Sequence, residues 1–170
     1  MKSGKNIVFL GMMGSGKTSI GYMVSKKLNL DFFDIDNLIE KKLDLNISKI
    51  FEIKGEKFFR EFEEKTTLDI LKKKNVVISL GGGAFLNRNI RTEVLKNHLS
   101  FWLKNDAKII INRIINSPKR PIAFNSTKNE LLNLIKKRSK IYSKSMYNIV
   151  CDKLTKKEIA KKIIDIYETK

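Results

Sequence analysis

The sequence predicts a parallel α/β fold, because short apolar segments alternate with longer segments of helical periodicity along the 170 residues. Strands that alternate with helices form parallel sheets with right-handed crossovers, and the helices then cover both faces. A glycine-rich loop between the first strand and the first helix supports this class. We expect five strands, at Asn6–Leu10, Asp31–Asp34, Val76–Leu80, Leu99–Leu103 and Asn148–Val150.

The helices are predicted from apolar stripes at helical spacing and from the residues that begin and end them. Two segments, Thr127–Glu130 and Thr155–Glu158, have the spacing of a capping box and therefore mark helix starts. Gly55 interrupts one long helical segment. The predicted helices are Lys17–Leu28, Asp36–Leu43, Ile47–Lys54, Glu56–Lys73, Arg88–Leu95, Ala107–Asn116, Asn129–Tyr142 and a C-terminal helix after Thr155.

Residues 11–18 read G-M-M-G-S-G-K-T, a phosphate-binding loop in the context of strand, loop and helix. Its glycines allow the backbone to turn with positive φ, and its N–H groups together with the helix N-terminus attract anions. Lys17 can reach the β- and γ-phosphates, and the hydroxyl of Thr18 can bind Mg²⁺. The loop therefore predicts a nucleoside triphosphate as ligand.

Composition indicates a single domain over residues 1–170. One cysteine, Cys151, excludes an intramolecular disulfide framework and is typical of a reducing cytoplasm. The apolar run after Lys5 leads directly into the phosphate loop, so we do not interpret it as a signal peptide. No apolar stretch has the length of a membrane span, and we expect no membrane partner.

The formal net charge of +17 raises the hypothesis of a nucleic-acid partner. We expect none, because 29 of the 35 basic residues are lysines spread along the helices and no aromatic-basic recognition motif accompanies them. A solvated lysine-rich surface explains the charge, and a field that attracts anionic substrates is compatible with it.

Two further segments lie at predicted strand ends, where a parallel sheet binds its ligands. Asp34 and Asp36 end the second strand, where side chains alternate, so we expect their carboxylates to point to opposite sides. One would hold Mg²⁺ through water and the other would accept a proton from an attacking hydroxyl. A helix cap is the alternative role for Asp36. The triplet Gly81-Gly82-Gly83 follows the third strand and permits close approach of backbone and ligand.

The six arginines stand out in a chain that otherwise favours lysine, since a guanidinium binds carboxylates and phosphates through two parallel hydrogen bonds. Arg138 lies on an apolar helical stripe, so it must face a buried partner or a ligand. Arg60 has Glu56 and Glu64 four residues away on either side, which also allows a surface ion pair. Arg120, between Pro118 and Pro121, would lie in a lid at about residues 116–125.

Taken together these motifs resemble those of shikimate kinases. The segments that carry the resemblance are residues 11–18, D-I-D at 34–36, F-F-R-E-F-E at 58–63, the glycine triplet, R-P at 120–121 and K-R-S-K-I-Y at 137–142. The resemblance implies a fold of the nucleoside monophosphate kinase type, in three layers, with strand order 2-3-1-4-5. It also implies transfer of a phosphoryl group from ATP to the 3-hydroxyl of shikimate, in aromatic amino-acid biosynthesis.

The resemblance also implies roles for individual residues. Asp36, Lys17 and Arg120 would be catalytic, and Thr18 would ligate Mg²⁺ with Asp34 acting through water. The remaining contacts to ATP would come from Gly14, Ser15, Gly16, Ser19 and Arg113. Shikimate would be held by Asp36, Arg60, Gly81, Gly82, Gly83 and Arg138, with Phe51 and Phe59 packing a substrate subdomain at about residues 36–60.

The sequence leaves alternatives open. Another small-molecule kinase of the same fold, acting on gluconate or a nucleoside monophosphate, would share the phosphate loop. A nucleotide switch of the GTPase class is disfavoured, because the chain contains no Asn-Lys dipeptide and so no N-K-x-D motif. We expect a cytoplasmic monomer whose ligands are ATP and shikimate.

Overall fold

The computed structural model describes residues 4–116 and 126–170, and its centre is a five-stranded parallel sheet. The strand order β2-β3-β1-β4-β5 confirms the predicted order. The strands are β1 (Ile7–Leu10), β2 (Asp31–Asp34), β3 (Val76–Ser79), β4 (Leu99–Lys104) and β5 (Tyr147–Val150), each within two residues of its predicted bounds.

Helices cover both faces of the sheet, as predicted. They are α1 (Lys17–Leu28), α2 (Ile35–Leu43), α3 (Ile47–Leu71), α4 (Arg88–Asn97), α5 (Ala107–Ile115), α6 (Lys128–Tyr142) and α7 (Lys156–Glu168), with a short 3₁₀ turn at Ala84–Leu86 before α4. Both capping boxes are present, with Thr127 and Thr155 each accepting from the backbone N–H three residues later.

The pleat of the central strand explains the three layers. Val8 and Leu10 face a core formed with α2 to α6, whereas Ile7 and Phe9 face a second core formed with α1 and α7. Because helices cover both faces of the sheet, the strand residues that face either core are apolar and buried. All five strands run in the same direction, so the loops after β1, β2 and β3 emerge at one edge of the sheet.

The long segment α3 is two helical pieces that meet at Gly55, as the sequence predicts. Gly55 has φ +83° and ψ 166°, a conformation that essentially only glycine adopts without strain. The first piece brings Phe51 against Phe59 of the second, with ring centroids 4.7 Å apart. This bend therefore sets the position of the segment that carries Arg60.

None of the helices in residues 4–116 and 126–170 is long and apolar enough to cross a membrane. Predicted lid residues Pro118, Arg120 and Pro121 lie outside the described residues.

Gly55→Ala is expected to lower the free energy of unfolding by about 1 to 3 kcal/mol, the usual cost of a non-glycine residue in a strained backbone region. An added Cβ at this position meets no atom within 4 Å, so steric overlap would not contribute. Urea unfolding measures the change, with the exposed Lys57→Ala as control. Equal stability of the two variants would contradict the backbone argument.

Candidate active site

Three loops meet at the carboxyl edge of the sheet, as the sequence predicts. A Cβ placed on Gly82 would lie 3.5 Å from the N atom of Met13 and 3.9 Å from the carbonyl oxygen of Gly11. A Cβ placed on Gly81 would lie 2.6 Å from a carboxylate oxygen of Asp36. The phosphate loop, the start of α2 and the glycine triplet therefore form one cleft.

The phosphate loop has the conformation that its glycines predict. Gly11, Gly14 and Gly16 have φ values of +141°, +80° and +95°. Gly16 precedes the first turn of α1 and provides no side-chain cap, so the N–H groups of this turn can bind an anion. The Lys17 ammonium lies over the loop and donates to the carbonyl oxygens of Gly11 and Met12, each at 2.9 Å.

Asp34 connects the phosphate loop to the second strand. Its Oδ2 accepts a hydrogen bond of 2.6 Å from the Thr18 hydroxyl, and its Oδ1 accepts from the Asn37 N–H at 3.2 Å. Asp34, and not Asp36, is therefore the cap of α2. The strand ends at Asp34 and Asp36 lies in the first helical turn, so the expected alternation of the two carboxylates along a strand is wrong.

Gly81 and Gly83 are favoured by the space around them rather than by backbone conformation. None of the three residues of the glycine triplet has a positive φ. A Cβ on Gly81 would lie 2.5 Å from Glu63 Oε1 as well as 2.6 Å from Asp36 Oδ1, and a Cβ on Gly83 would lie 2.9 Å from Cζ of Arg60. The glycines thus allow charged side chains to pack directly against the end of β3.

Two carboxylates, those of Asp36 and Glu63, lie close together against Gly81. The pKa of Asp36 is raised to about 7, first by burial and then by the negative charges of Glu63 and Asp34, while Lys17 lowers it. Burial also raises the pKa of Glu63, although the positive charges of Arg60 and Arg138 act to lower it. Asp36 can therefore hold or release a proton near neutral pH.

Arg60 is fixed by two acidic partners on its own helix. It donates to Glu63 at 2.8 Å and to Glu56 at 3.3 Å. The suggested partner Glu64 is wrong, since Glu64 instead accepts from the side chains of Asn87 and Asn89. The sequence analysis missed Glu63, although its spacing of three residues from Arg60 would have allowed the pair.

Arg138 is buried on the inner face of α6, as its place on the apolar stripe predicts, with an exposed fraction of 8%. A Cβ placed on Gly82 would lie 3.3 Å from its Nη1. Its Nε is buried and has no hydrogen-bond partner within the described part of the chain. A buried cation with an unused donor favours binding of an anionic group in this cleft.

Tyr142, one turn after Arg138, is a second residue that sequence reasoning missed. Its hydroxyl donates to the carbonyl oxygen of Gly82 and packs near the Met12 sulfur. Burial raises the pKa of this hydroxyl to about 12, so it remains a donor at neutral pH. The tyrosine thereby holds the glycine triplet against α6.

A separate cavity of about 290 Å³ lies on the other side of the phosphate loop. Arg113 lies at this cavity, and its Nη1 donates to the Gly14 carbonyl oxygen at 2.9 Å and to Asn105 Oδ1 at 3.1 Å. Gly14, Ser15, Gly16 and Ser19 line the cavity from the phosphate-loop side, and Leu154 lines it from the turn after β5. Its position suits the nucleoside that continues from a bound triphosphate.

Among residues 4–116 and 126–170, no three histidine, cysteine, aspartate or glutamate side chains cluster as metal ligands. The oxygens of Thr18 and Asp34 nevertheless fit a hard cation that keeps most of its ligands from water and phosphate. Arg120, the predicted catalytic arginine, lies outside the described residues.

Comparison with known proteins identifies close relatives over almost the whole chain. The family model "Shikimate kinase" matches residues 13–168. The shikimate kinase of Thermodesulfovibrio yellowstonii is 39% identical over 96% of this chain and 95% of its own length. That of Bacillus subtilis is 40% identical over 95% of this chain and 88% of its own length.

Solved structures give the same result. Shikimate kinase from Acinetobacter baumannii, in complex with shikimate, superposes with a TM-score of 0.92 at 27% identity over 99% of this chain and 95% of that one. Shikimate kinase from Aquifex aeolicus has a TM-score of 0.85 at 32% identity, over 96% of each chain. A gluconokinase from Sinorhizobium meliloti, at 13% identity and a TM-score of 0.62, shares the fold alone.

Asp36→Asn is expected to raise the free energy of unfolding at pH 8 by on the order of 1–2 kcal/mol. At pH 4 the substitution is expected to change it very little. Because the folded pKa of Asp36 lies above its unfolded value, the folded state binds more protons between about pH 4 and 7. The unfolding free energy of the wild type therefore falls as pH rises through that window.

Urea unfolding of wild type and variant at both pH values tests this, with the exposed Asp165→Asn as control. A gain from Asp36→Asn that is equal at pH 4 and pH 8 would contradict the raised pKa.

Proposed function

This chain belongs to the shikimate kinase family, phosphotransferases with an alcohol group as acceptor, and we propose the following roles for its cleft residues. The phosphate loop binds ATP, the cluster around the glycine triplet binds shikimate, and the γ-phosphoryl group passes between them to the 3-hydroxyl. The observation that carries this proposal is the approach of the two halves at Gly82, where an added Cβ would lie 3.5 Å from the N atom of Met13 in the phosphate loop and 3.3 Å from Nη1 of Arg138.

On the nucleotide side, Gly14, Ser15, Gly16, Lys17, Thr18 and Ser19 hold the phosphates. The positive charge of Lys17 neutralises charge on the β- and γ-phosphates, and it is already placed over the loop by two carbonyl oxygens. Arg113 lies beside the cavity that suits the nucleoside. Phosphoryl transfer needs positioning and charge neutralisation more than covalent chemistry, and these residues supply both.

Mg²⁺ is the proposed cofactor. The Thr18 hydroxyl oxygen would be its direct ligand. Asp34, whose Oδ2 lies 2.6 Å from that hydroxyl, would act through a bound water. When bound, Mg²⁺ neutralises phosphate charge and orients the terminal phosphoryl group.

On the acceptor side, Arg60 and Arg138 hold the carboxylate of shikimate. Both guanidinium groups border the glycine triplet, Arg60 at Gly83 and Arg138 at Gly82. The unused Nε of Arg138 gives a donor for this carboxylate. Gly81, Gly82 and Gly83 leave room for the ring hydroxyls to approach the backbone.

Asp36 is the proposed base. Its carboxylate accepts the proton of the shikimate 3-hydroxyl while the hydroxyl oxygen bonds to the γ-phosphorus and the bond to the β,γ-bridging oxygen breaks. A pKa near 7 matches this task, since a base works best when its pKa lies near the working pH. ADP leaves with the bridging oxygen.

A lid at about residues 116–125 would bring Arg120 to the γ-phosphoryl group, and closure would exclude water from the transfer. The segment of about residues 36–60 would act as the substrate subdomain, with the bend at Gly55 inside it. The protein would work as a monomer in the cytoplasm, where its buried free thiol, Cys151, stays reduced.

The decisive experiment measures ADP release with ATP, Mg²⁺ and one acceptor at a time, and identifies the product by ³¹P NMR. Shikimate should give turnover and a single phosphate ester at the 3-hydroxyl. Gluconate and the nucleoside monophosphates should give ADP only at the background rate. Background rates with all acceptors would refute the proposal.

Arg138→Lys is expected to raise KM for shikimate about tenfold to a hundredfold, because an ammonium cannot form two parallel hydrogen bonds with a carboxylate. KM for ATP should change less than about twofold, since Arg138 faces the acceptor half. Steady-state kinetics with each substrate varied in turn measures both, with the exposed Arg88→Lys as control. Equal increases in both KM values would count against a carboxylate contact.

A further inference from the structure

The residue that fixes Arg113 at the nucleoside cavity is Asn105, which follows directly after β4. We propose that Asn105 is a nucleoside-binding residue: its Oδ1 holds the Arg113 guanidinium in place, and its Nδ2 donates a hydrogen bond to an acceptor atom of the nucleoside. This rests on the proposed function, because it takes the cavity to hold the nucleoside of ATP.

The first part of the argument is the position of Arg113. This side chain is exposed, and an exposed guanidinium without fixed acceptors samples many conformations. Two acceptors restrain it, the Gly14 carbonyl oxygen at 2.9 Å and Asn105 Oδ1 at 3.1 Å. Gly14 belongs to the phosphate loop, whereas Asn105 lines the cavity from the end of β4. Asn105 therefore helps to determine the position of the Arg113 guanidinium at the cavity.

The second part is the orientation of the Asn105 amide, which the chemistry of its partner determines. A guanidinium has only donors, so the amide atom that faces Arg113 must be the oxygen. The amide nitrogen then points away from Arg113. This assignment does not depend on distinguishing nitrogen from oxygen by their positions.

The third part is that this nitrogen is buried with only a weak acceptor. Within residues 4–116 and 126–170, Nδ2 of Asn105 has no nitrogen or oxygen partner, and the side chain it interacts with is the Cys151 thiol. Sulfur is a weak acceptor, and this thiol donates its own hydrogen to the Ile149 carbonyl oxygen at 3.2 Å. A buried amide donor with so weak a partner is unfavourable, so an oxygen or nitrogen acceptor of a ligand would be favoured here.

The surroundings of the amide identify the ligand as a nucleoside. Asn105 and Cys151 line the same cavity, and Leu154 and Ile159 add apolar surface. Apolar walls with a few fixed polar groups are typical of sites for planar organic ligands. The phosphate-loop residues at the cavity place the triphosphate end next to it, so the ring nitrogens and ribose oxygens of the nucleoside are the available acceptors.

The backbone on both sides of Asn105 is held in place before any ligand binds. The Asp106 N–H donates to Asp152 Oδ1 at 2.8 Å, and the Cys151 N–H donates to the Lys104 carbonyl oxygen at 2.9 Å. Asp106 also caps α5, the helix that carries Arg113. The amide is thus positioned from two adjacent loops, as a specificity-determining group requires.

The test measures Mg-ADP binding by calorimetry in the absence of shikimate, for wild type and two variants. Asn105→Leu removes both the acceptor for Arg113 and the donor. Asn105→Asp keeps an acceptor for Arg113 and removes the donor. The controls are Asn112→Leu and Asn112→Asp, which make the same changes at an exposed position of α5.

Asn105→Leu should raise the Kd of Mg-ADP about tenfold, and Asn105→Asp should raise it about threefold to tenfold relative to Asn112→Asp. KM for shikimate should rise less than KM for ATP, because Asn105 lines the nucleoside cavity and not the glycine triplet. A Kd within twofold of the matched control for either Asn105 variant would overturn the proposal.

Nucleotide analogues locate the acceptor. Deaza-ADPs that lack one ring nitrogen each, and 2′-deoxy-ADP, are compared on wild type and Asn105→Asp. One analogue should weaken binding to the wild type but not to the variant. An identical response of both proteins to every analogue would overturn the proposal, whereas a wild type that binds Mg-ADP but does not phosphorylate shikimate would refute only the proposed function.

Discussion

The half of the cleft beside the glycine triplet depends on the absence of side chains at the end of β3. Asp36, Glu63 and Arg60 approach the backbone of the glycine triplet more closely than any Cβ would permit. Their charges compensate one another. Glu63 pairs with Arg60, and the guanidinium groups of Arg60 and Arg138 oppose the rise that burial causes in the pKa of Glu63. Removing one member would leave another buried charge without compensation, so the cluster acts as a unit.

This arrangement also explains how the charged side chains around the glycine triplet can be paired with one another and still leave a donor for a ligand. Arg60 is already satisfied by acidic partners, whereas Arg138 keeps a buried donor unused. Asp36 is held between Glu63, which opposes its ionisation, and Lys17, which favours it. The protein thus tolerates an unfavourable electrostatic environment at the proposed site of phosphoryl transfer, while its two apolar cores supply the stability.

The fold and the phosphate loop could be predicted from the sequence, because they depend on local signals: apolar runs, glycine spacing and capping boxes. Arg138 could also be predicted, since its helical stripe is visible in the spacing. The contacts that Asp36, Glu63 and Arg60 make around the glycine triplet could not be predicted from the sequence. Whether Arg60 pairs with Glu63 or Glu64 depends on which side of α3 faces the triplet, and the bend at Gly55 influences that rotation. The steric need for Gly81 arises from residues 18 and 45 positions away in the chain, Glu63 and Asp36.

The position of Arg138 has a consequence for how the protein is made. The phosphate loop and the glycine triplet lie in the first half of the chain, but the buried guanidinium between them comes from α6, near the C-terminal end. A growing polypeptide on the ribosome would expose the glycine triplet, and leave the carbonyl oxygen of Gly82 without its tyrosine, until α6 had been synthesised. The proposed acceptor site would therefore be completed late in biosynthesis, after the phosphate loop has been synthesised.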